Sequence, residues 1–480
     1  MSLFSSVERP RTGFVTKLFY GFGSVAYGVK DNGFSTFLLL FYNQVLGLPA
    51  AWVGAAIMIA LAVDSVLDPL VGQISDNWTS RWGRRHPFMY FAAIPSAIAF
   101  LFLWMPPAGL SQVQLFAYLL VMAIVVRTLI TFYEIPSTAL GAELSENYDQ
   151  RTSLFGYRYF FGWWGGLILT MVALGVLLIP DAQHPVGQLN PVGYARYGVV
   201  ASLIMASAIF ISAAGTHRFI AHLKPAASTA AFHLGEWIAA VRGTFANPSF
   251  RAIMASALFT SMAGGLGLAM NSYFVTFLWE LSNAQYAVML GSAFIGSLFA
   301  LLISPHLSKA FGKKPATIIL YALSAIIGPL PFVLRLLGLF PENESSLLIP
   351  LLFGLAAVQL TFSINANILG TSMIADIAED IEIKTGKRSE GLLFSAASVI
   401  AKAVSGVGIF ATGMILSFVK FPANAQPGHV PQEVLDHLLM TYLPISVLMH
   451  ICAIWTLTGY KISRAQHEEN LAELARRQAV

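Results

Sequence analysis

Charge is scarce in this chain. Asp, Glu, Lys and Arg together make up 11% of its 480 residues, against roughly 25% in soluble domains. With 56% hydrophobic residues and 35 phenylalanines, such a chain cannot cover a water-facing surface, and it reads as a polytopic membrane protein. A single cysteine, Cys452, excludes an intrachain disulfide and leaves the redox compartment undetermined. There is no HExxH, no GxSxG and no clustering of the ten histidines, which lie mostly in loops. No glycine-rich phosphate loop with its lysine is found either. These absences argue against a membrane enzyme and an ATP-driven pump, and no cofactor is expected. The basic residues are spread over separate loops, which excludes a nucleic-acid surface. The first 16 residues hold Glu8, Arg9 and Arg11 without an apolar run, so no cleavable signal peptide is expected and the first membrane helix serves as its own signal.

Long apolar stretches are what the chain has instead. About 20 residues of helix cross roughly 30 Å of hydrocarbon. Twelve spans are expected, at 15–45, 51–75, 88–106, 112–142, 152–180, 193–214, 250–280, 284–305, 315–338, 346–375, 389–420 and 437–460. The basic residues orient them. In a twelve-span count, 21 of the 28 Lys and Arg fall on one side, and only Arg196 and Lys420 lie clearly in loops of the other. Both termini are therefore expected in the cytoplasm, in a bacterial inner membrane or plasma membrane.

The longest polar interruption runs from 215 to 249 and divides six spans from six. Its middle, from about His233 to Phe245, has the pattern of a short amphipathic helix at the interface. The halves echo each other. "RWGRRHP" at 81–87 follows span 2 and "AFGKKP" at 310–315 follows span 8, while "AELSENYDQRTSLFGYR" after span 4 resembles "ADIAEDIEIKTGKRSEGLLFS" after span 10. Ordered punctuation of this kind points to duplication. The expected architecture is an all-α membrane protein of twelve transmembrane helices, in two pseudo-symmetric six-helix bundles with the major facilitator fold. Residues 1–214 form the N-terminal bundle, 215–249 the linker, 250–460 the C-terminal bundle and 461–480 a cytoplasmic tail.

Charges at membrane depth cost roughly 2.5–3.5 kcal/mol each on insertion scales, so each is a functional-site hypothesis. They are Lys30, Asp31, Asp64, Asp68, Arg127, Glu134, Arg158 and Lys402. In "ALAVDSVLDPLVGQISD", Asp64 and Asp68 lie four apart and share one helical face. Two close carboxylates suit a monovalent cation or a proton, with the Ser65 carbonyl freed by Pro69 as an extra oxygen nearby; the alternative is that one acid caps the break made by Pro69 or pairs with a lysine to steady packing. Arg127, Thr131 and Glu134 stack on one face of span 4. Arg127 and Glu134, two turns apart, are expected to meet groups from other helices. Arg158 either enters the site or snorkels to the interface. Lys402 needs a partner from another helix, for which the span 2 acids are the natural candidates. It is either a counter-charge that yields to cation or a permanent bridge. Lys30 and Asp31 adjoin and are expected on different faces. The "YGFGSVAYG" stretch before them supplies small residues for close helix contact, and Asn365 and Asn367 either line the second half of the cavity or, as is favoured, join helices.

Four ordered motifs, "KLFYGFG", "DSVLDPLVGQISD…SRWGRRHPF", "EIPSTALGAELSENYDQRTSLFGYR" and "ADIAEDIEIKTGKRSEGLLFSAASVIAK", resemble those of the glycoside–pentoside–hexuronide:cation symporters. That is the melibiose-permease-like branch of the major facilitator superfamily. The chain is also similar to the sodium-dependent lysophosphatidylcholine symporters. The resemblance implies alternating access driven by Na+, Li+ or H+, with Asp64, Asp68 and Thr131 holding the coupling cation. Glu134 then matches a sugar-binding acid, Arg158 an arginine beside it, and Lys402 the span 11 lysine near the cation. Three positions depart from the family pattern. Gly28 stands where galactoside transporters carry an Asp, with Asp31 one turn later. Leu67 replaces an Asn between the acids, and Thr138 replaces an aromatic that stacks on the sugar.

The expected function is cation-coupled symport of a glycoside or related small organic solute by a monomer in the lipid bilayer. Glu134, Arg158, Lys402, Asp31 and Arg127 would contact the solute. The alternative cargo is a lysophospholipid or another amphipathic molecule. The loops "DNWTSRWGRR" and "EDIEIKTGKR" are expected to form charge pairs that latch the outward-open state.

Overall fold

The computed structural model describes residues 12–145, 148–222, 243–385 and 390–478, and every regular element among them is helical. Hydrocarbon offers no partner to backbone N–H and C=O groups, so each crossing segment satisfies its own by helical bonding. Eleven described helices are long and apolar enough to cross a membrane. The span expected at 15–45 is instead a broken run. It comprises α1 (Phe14–Phe22), α2 (Val25–Asn32) and wider, π-type turns at Gly33–Leu38 and Phe41–Val45.

By its internal contacts the chain forms two units, 1–48 with 59–231, and 49–58 with 232–480. The first contains α1, α2, most of α3 (Ala50–Asn77), α4 (His86–Leu103), α5 (Gln112–Glu143), α6 (Tyr148–Val172) and α7 (Pro191–Thr216). The second contains α8 (Pro248–Tyr273), α9 (Asn283–Phe311), α10 (Lys313–Ile327), α11 (Leu330–Leu336), α12 (Leu348–Thr385), α13 (Glu390–Phe418), α14 (Gln432–Leu457) and α15 (Arg464–Gln478). Caps mark where these helices begin. Ser111 and Ser282 each form a capping box, with Gln114 and Gln285, at the start of α5 and α9. Asn190 and Asn247 cap α7 and α8 ahead of a proline at the first helical position.

The units repeat one packing scheme. In the first, α1 and α2 pack on α6 and α7, and α4 packs on α5 and α7; in the second, α8 packs on α13 and α14, and α10 on α12 and α14. Glycine permits the closest of these crossings. A Cβ at Gly28 would lie 1.9 Å from the carbonyl oxygen of Gly162, and one at Gly265 would lie 2.1 Å from that of Ser405. The basic turns repeat too: Gly83 and Gly312 both have left-handed φ, +71° and +77°. Each is followed by a cation that reaches the acidic end of a neighbouring helix, Arg84 to Glu143 at 2.7 Å and Lys313 to Asp376 at 2.5 Å.

Several expectations are corrected. Helix α12 runs ten residues past 375, because its charged end "DIAEDIEIKT" reads as loop by hydropathy yet consists largely of residues a helix tolerates. The span at 315–338 breaks at Gly328–Pro329, where proline has no N–H to continue the ladder. The stretch from 461, expected as a tail, includes the helix α15. Asn365 donates to Thr361 O of its own helix at 2.8 Å rather than to a neighbouring helix. The expected amphipathic linker helix lies largely outside the described residues, as does part of the "EDIEIKTGKR" loop.

Candidate functional site

The charges of the first unit converge on the face between α3 and α5. The one-turn spacing of Asp64 and Asp68 turns both carboxylates inward, leaving them 1% and 9% exposed. Pro69, inside α3, cannot donate to the Ser65 carbonyl, so the backbone beside the acids is locally under-bonded. Helix α5 answers with a matching ladder. Arg127 donates to Asp64 Oδ2 from Nη2 at 2.8 Å and from Nε at 3.2 Å. One turn on, Thr131 Oγ1 lies 2.9 Å from Asp64 Oδ1, 3.2 Å from Asp68 Oδ1 and 3.0 Å from the carbonyl oxygen of Arg127. A hydroxyl has one proton, so Thr131 serves one of these three acceptors at a time.

A second cluster follows along α5. Lys30 is 1% exposed, and its Nζ lies 3.0 Å from Asp31 Oδ1 and 3.6 Å from Glu134 Oε2. Arg158, on α6, donates to Ser137 Oγ at 2.9 Å and to the Glu134 carbonyl at 3.1 Å. Its guanidinium lies 4.9 Å from the centre of the Tyr27 ring. Thr138, at the departing aromatic position, donates back to the Glu134 carbonyl at 2.6 Å. Together the two clusters bring four carboxylates (Asp31, Asp64, Asp68, Glu134) beside three cations (Lys30, Arg127, Arg158).

The structure thus brings together Asp64, Asp68 and Thr131, and it gives Arg127 and Glu134 partners from other helices. Two readings change. Lys30 and Asp31 do form an ion pair, because the long lysine stem curls back to the neighbouring carboxylate, whose side chain is 53% exposed. Arg158 is 5% exposed and tied to α5 rather than snorkelling. Within the first unit the cation that meets Asp64 is Arg127, and Lys402 stands half-buried on α13. Sequence reasoning missed Tyr27, Ser137 and the Arg127–Asp64 pair. The signal for that pair was present in the matched one-turn spacing of Asp64/Asp68 and Arg127/Thr131. Of the expected loop latch, the described residues show Arg84 and Arg85 paired with Glu143, and Arg85 with Asp76, all within the first unit.

Comparison with known proteins is consistent across the chain. Residues 19–464 match the family described as MFS/sugar transport protein. A putative glycoside/cation symporter of Escherichia coli is 24% identical over 467 residues, covering 96% of this chain and 95% of that protein. The isoprimeverose transporter of Lactiplantibacillus pentosus is 26% identical over 475 residues, covering 96% and 91%. Among solved structures, a D-xylose–proton symporter superposes with a TM-score of 0.62 at 14% identity, over 92% of this chain and 97% of that one, a likeness of fold.

Proposed function

This chain belongs to the MFS/sugar transport protein family, whose members are membrane transporters and not enzymes, and on that premise we propose that it couples a monovalent cation to the uptake of a glycoside or related small solute. The observation that carries the reading is the Asp64–Thr131–Asp68 triad, buried in the first unit. Arg127 pairs with Asp64, and the incoming charge is assigned to the two carboxylates that share Thr131. The Thr131 proton has an alternative acceptor, the Arg127 carbonyl at 3.0 Å. Turned there, it leaves three oxygens, Asp64 Oδ1, Asp68 Oδ1 and Thr131 Oγ1, facing one another as hard ligands for Na+ or Li+. A proton would instead settle on Asp68.

Glu134 and Arg158 lie one to two turns from this triad and are assigned to the solute, with Asp31 and Lys30 beside them. Cation at Asp68 would change the field along α5, and so the poise of Glu134, without the two ligands touching. Lys402 and the rocking of the halves rest on the resemblance, as does placing the basic loops in the cytoplasm.

The test is uptake of a panel of labelled glycosides into proteoliposomes under imposed Na+ or H+ gradients, with a lysophospholipid as competitor. Wild type accumulates solute against its gradient. Asp68→Asn is expected to abolish accumulation while remaining folded by melting and gel filtration. Normal accumulation in that variant would remove Asp68 from the coupling site, and competition by the lysolipid alone would transfer the cargo assignment to amphipaths.

A further inference from the structure

At the charged end of the second unit, three groups from two elements converge away from the coupling site. Asp376 and Glu379 stand three apart near the end of α12, on one face. His467 comes to them from the first turn of α15, its Nδ1 3.0 Å from Glu379 Oε2 and 3.5 Å from Asp376 Oδ1. The three ligand atoms all lie within 4.8 Å of one another. Ligands at 2.0–2.2 Å from a tetrahedral ion stand about 3.4 Å apart, and the two measured separations bracket that value.

Glu379 Oε2 and His467 Nδ1 are both buried atoms, and they face each other at 3.0 Å. With the ring proton on Nε2, Nδ1 offers a lone pair to the same point as the carboxylate. Both side chains are about a quarter exposed although the two facing atoms are covered, so the cluster lies just beneath the surface. The geometry points to a binding site for a divalent transition ion of the zinc type, formed by Asp376, Glu379 and His467, with water completing the coordination.

The surroundings are built to hold these ligands in place. Tyr460 Oη donates to the other oxygen of Asp376 at 3.4 Å, which orients that carboxylate. The first turn of α15 is pinned by Arg464, which donates to the carbonyl of Lys309 at 3.3 Å, and by His467 N, which donates to Ser463 O at 3.0 Å. Lys313 holds Asp376 Oδ1 at 2.5 Å and competes with the ion; its flexible side chain is 24% exposed and has room to withdraw. The equivalent turn of the first unit pairs Arg84 and Arg85 with Glu143. Among the described residues no His joins that pairing, so the site belongs to the second unit alone.

The experiment uses the full chain in detergent, purified without a polyhistidine tag. It is titrated with ZnCl2 by calorimetry and with CoCl2 by visible absorption, beside His467→Gln and Glu379→Gln. Wild type is expected to bind one ion per chain and to show cobalt d–d bands from a mixed nitrogen and oxygen ligand set. Each substitution is expected to weaken binding about tenfold or more and to erase the bands, with unchanged melting in the absence of metal. No saturable binding to wild type, or binding that survives both substitutions unchanged, overturns the assignment. Solute uptake plays no part in this readout, so failure here leaves the coupling site untouched.

Discussion

Replacing Arg127 by methionine keeps much of the apolar stem and withdraws the guanidinium from Asp64. The carboxylate is 1% exposed and would keep, of its named donors, only the Thr131 hydroxyl at 2.9 Å. At the 2.8 Å separation observed and an effective dielectric near 20, the lost attraction is about 6 kcal/mol. Desolvation of both ions offsets part of that in the intact pair. Measured costs of removing one partner from a buried pair run to about 3–5 kcal/mol, because an uncompensated charge stays behind. The double variant Arg127→Met, Asp64→Asn removes both charges at once and is expected to recover most of the loss. Wild type, both single variants and the double are compared by SDS-titrated unfolding in micelles, with melting temperature as the second readout. An Arg127→Met protein as stable as wild type, or a double variant no better than the worse single, would show that Asp64 is not held by this guanidinium.

Two further perturbations separate the cation triad from the scaffold. Thr131→Val keeps the shape and removes the hydroxyl oxygen, so half-saturation by Na+ or Li+ should rise by a factor of about 10, equivalent to roughly 1.4 kcal/mol and within the range for one lost polar partner; Thr131→Ser should restore it, and a Val variant with unaltered cation dependence would exclude that oxygen from the site. Gly28→Ala places a methyl 1.9 Å from the backbone of Gly162 and should cost about 1–3 kcal/mol in unfolding titrations, whereas Gly156→Ala, with open space around its Cβ, should cost nothing.

The helical architecture was legible because hydrocarbon allows little else. Apolar runs of about 20 residues set the elements. What hydropathy could not find were features that do not depend on it. The charged extension of α12 and the tail helix α15 are stabilised by ion pairs and packing rather than by lipid, for example Lys313–Asp376 and Arg464–Glu468. At the site, helical spacing correctly grouped Asp64 with Asp68 and Arg127 with Thr131. It could not say that the two ladders face each other, since periodicity fixes the face of a helix and not its neighbour. The Lys30–Asp31 pair was missed for a related reason: adjacency in sequence constrains Cβ directions, but a four-carbon stem can turn back on its neighbour.

The duplication bears on whether the buried charges serve folding or transport. Both units pack equivalent helices in the same pairs, approach at glycines in the same crossings and tie a basic turn to an acidic helix end. Yet α9 from Asn283 to Ser308 and α12 from Leu348 to Ala375, the counterparts of α3 and α5, contain no Asp, Glu, Lys or Arg. The second unit therefore assembles this arrangement without charge at membrane depth on either helix. A requirement of the scaffold would hold in both copies, and here it holds in one. The insertion cost of Asp64, Asp68, Arg127 and Glu134 is consequently not explained by the fold they sit in, which supports assigning them to a ligand that carries charge of its own.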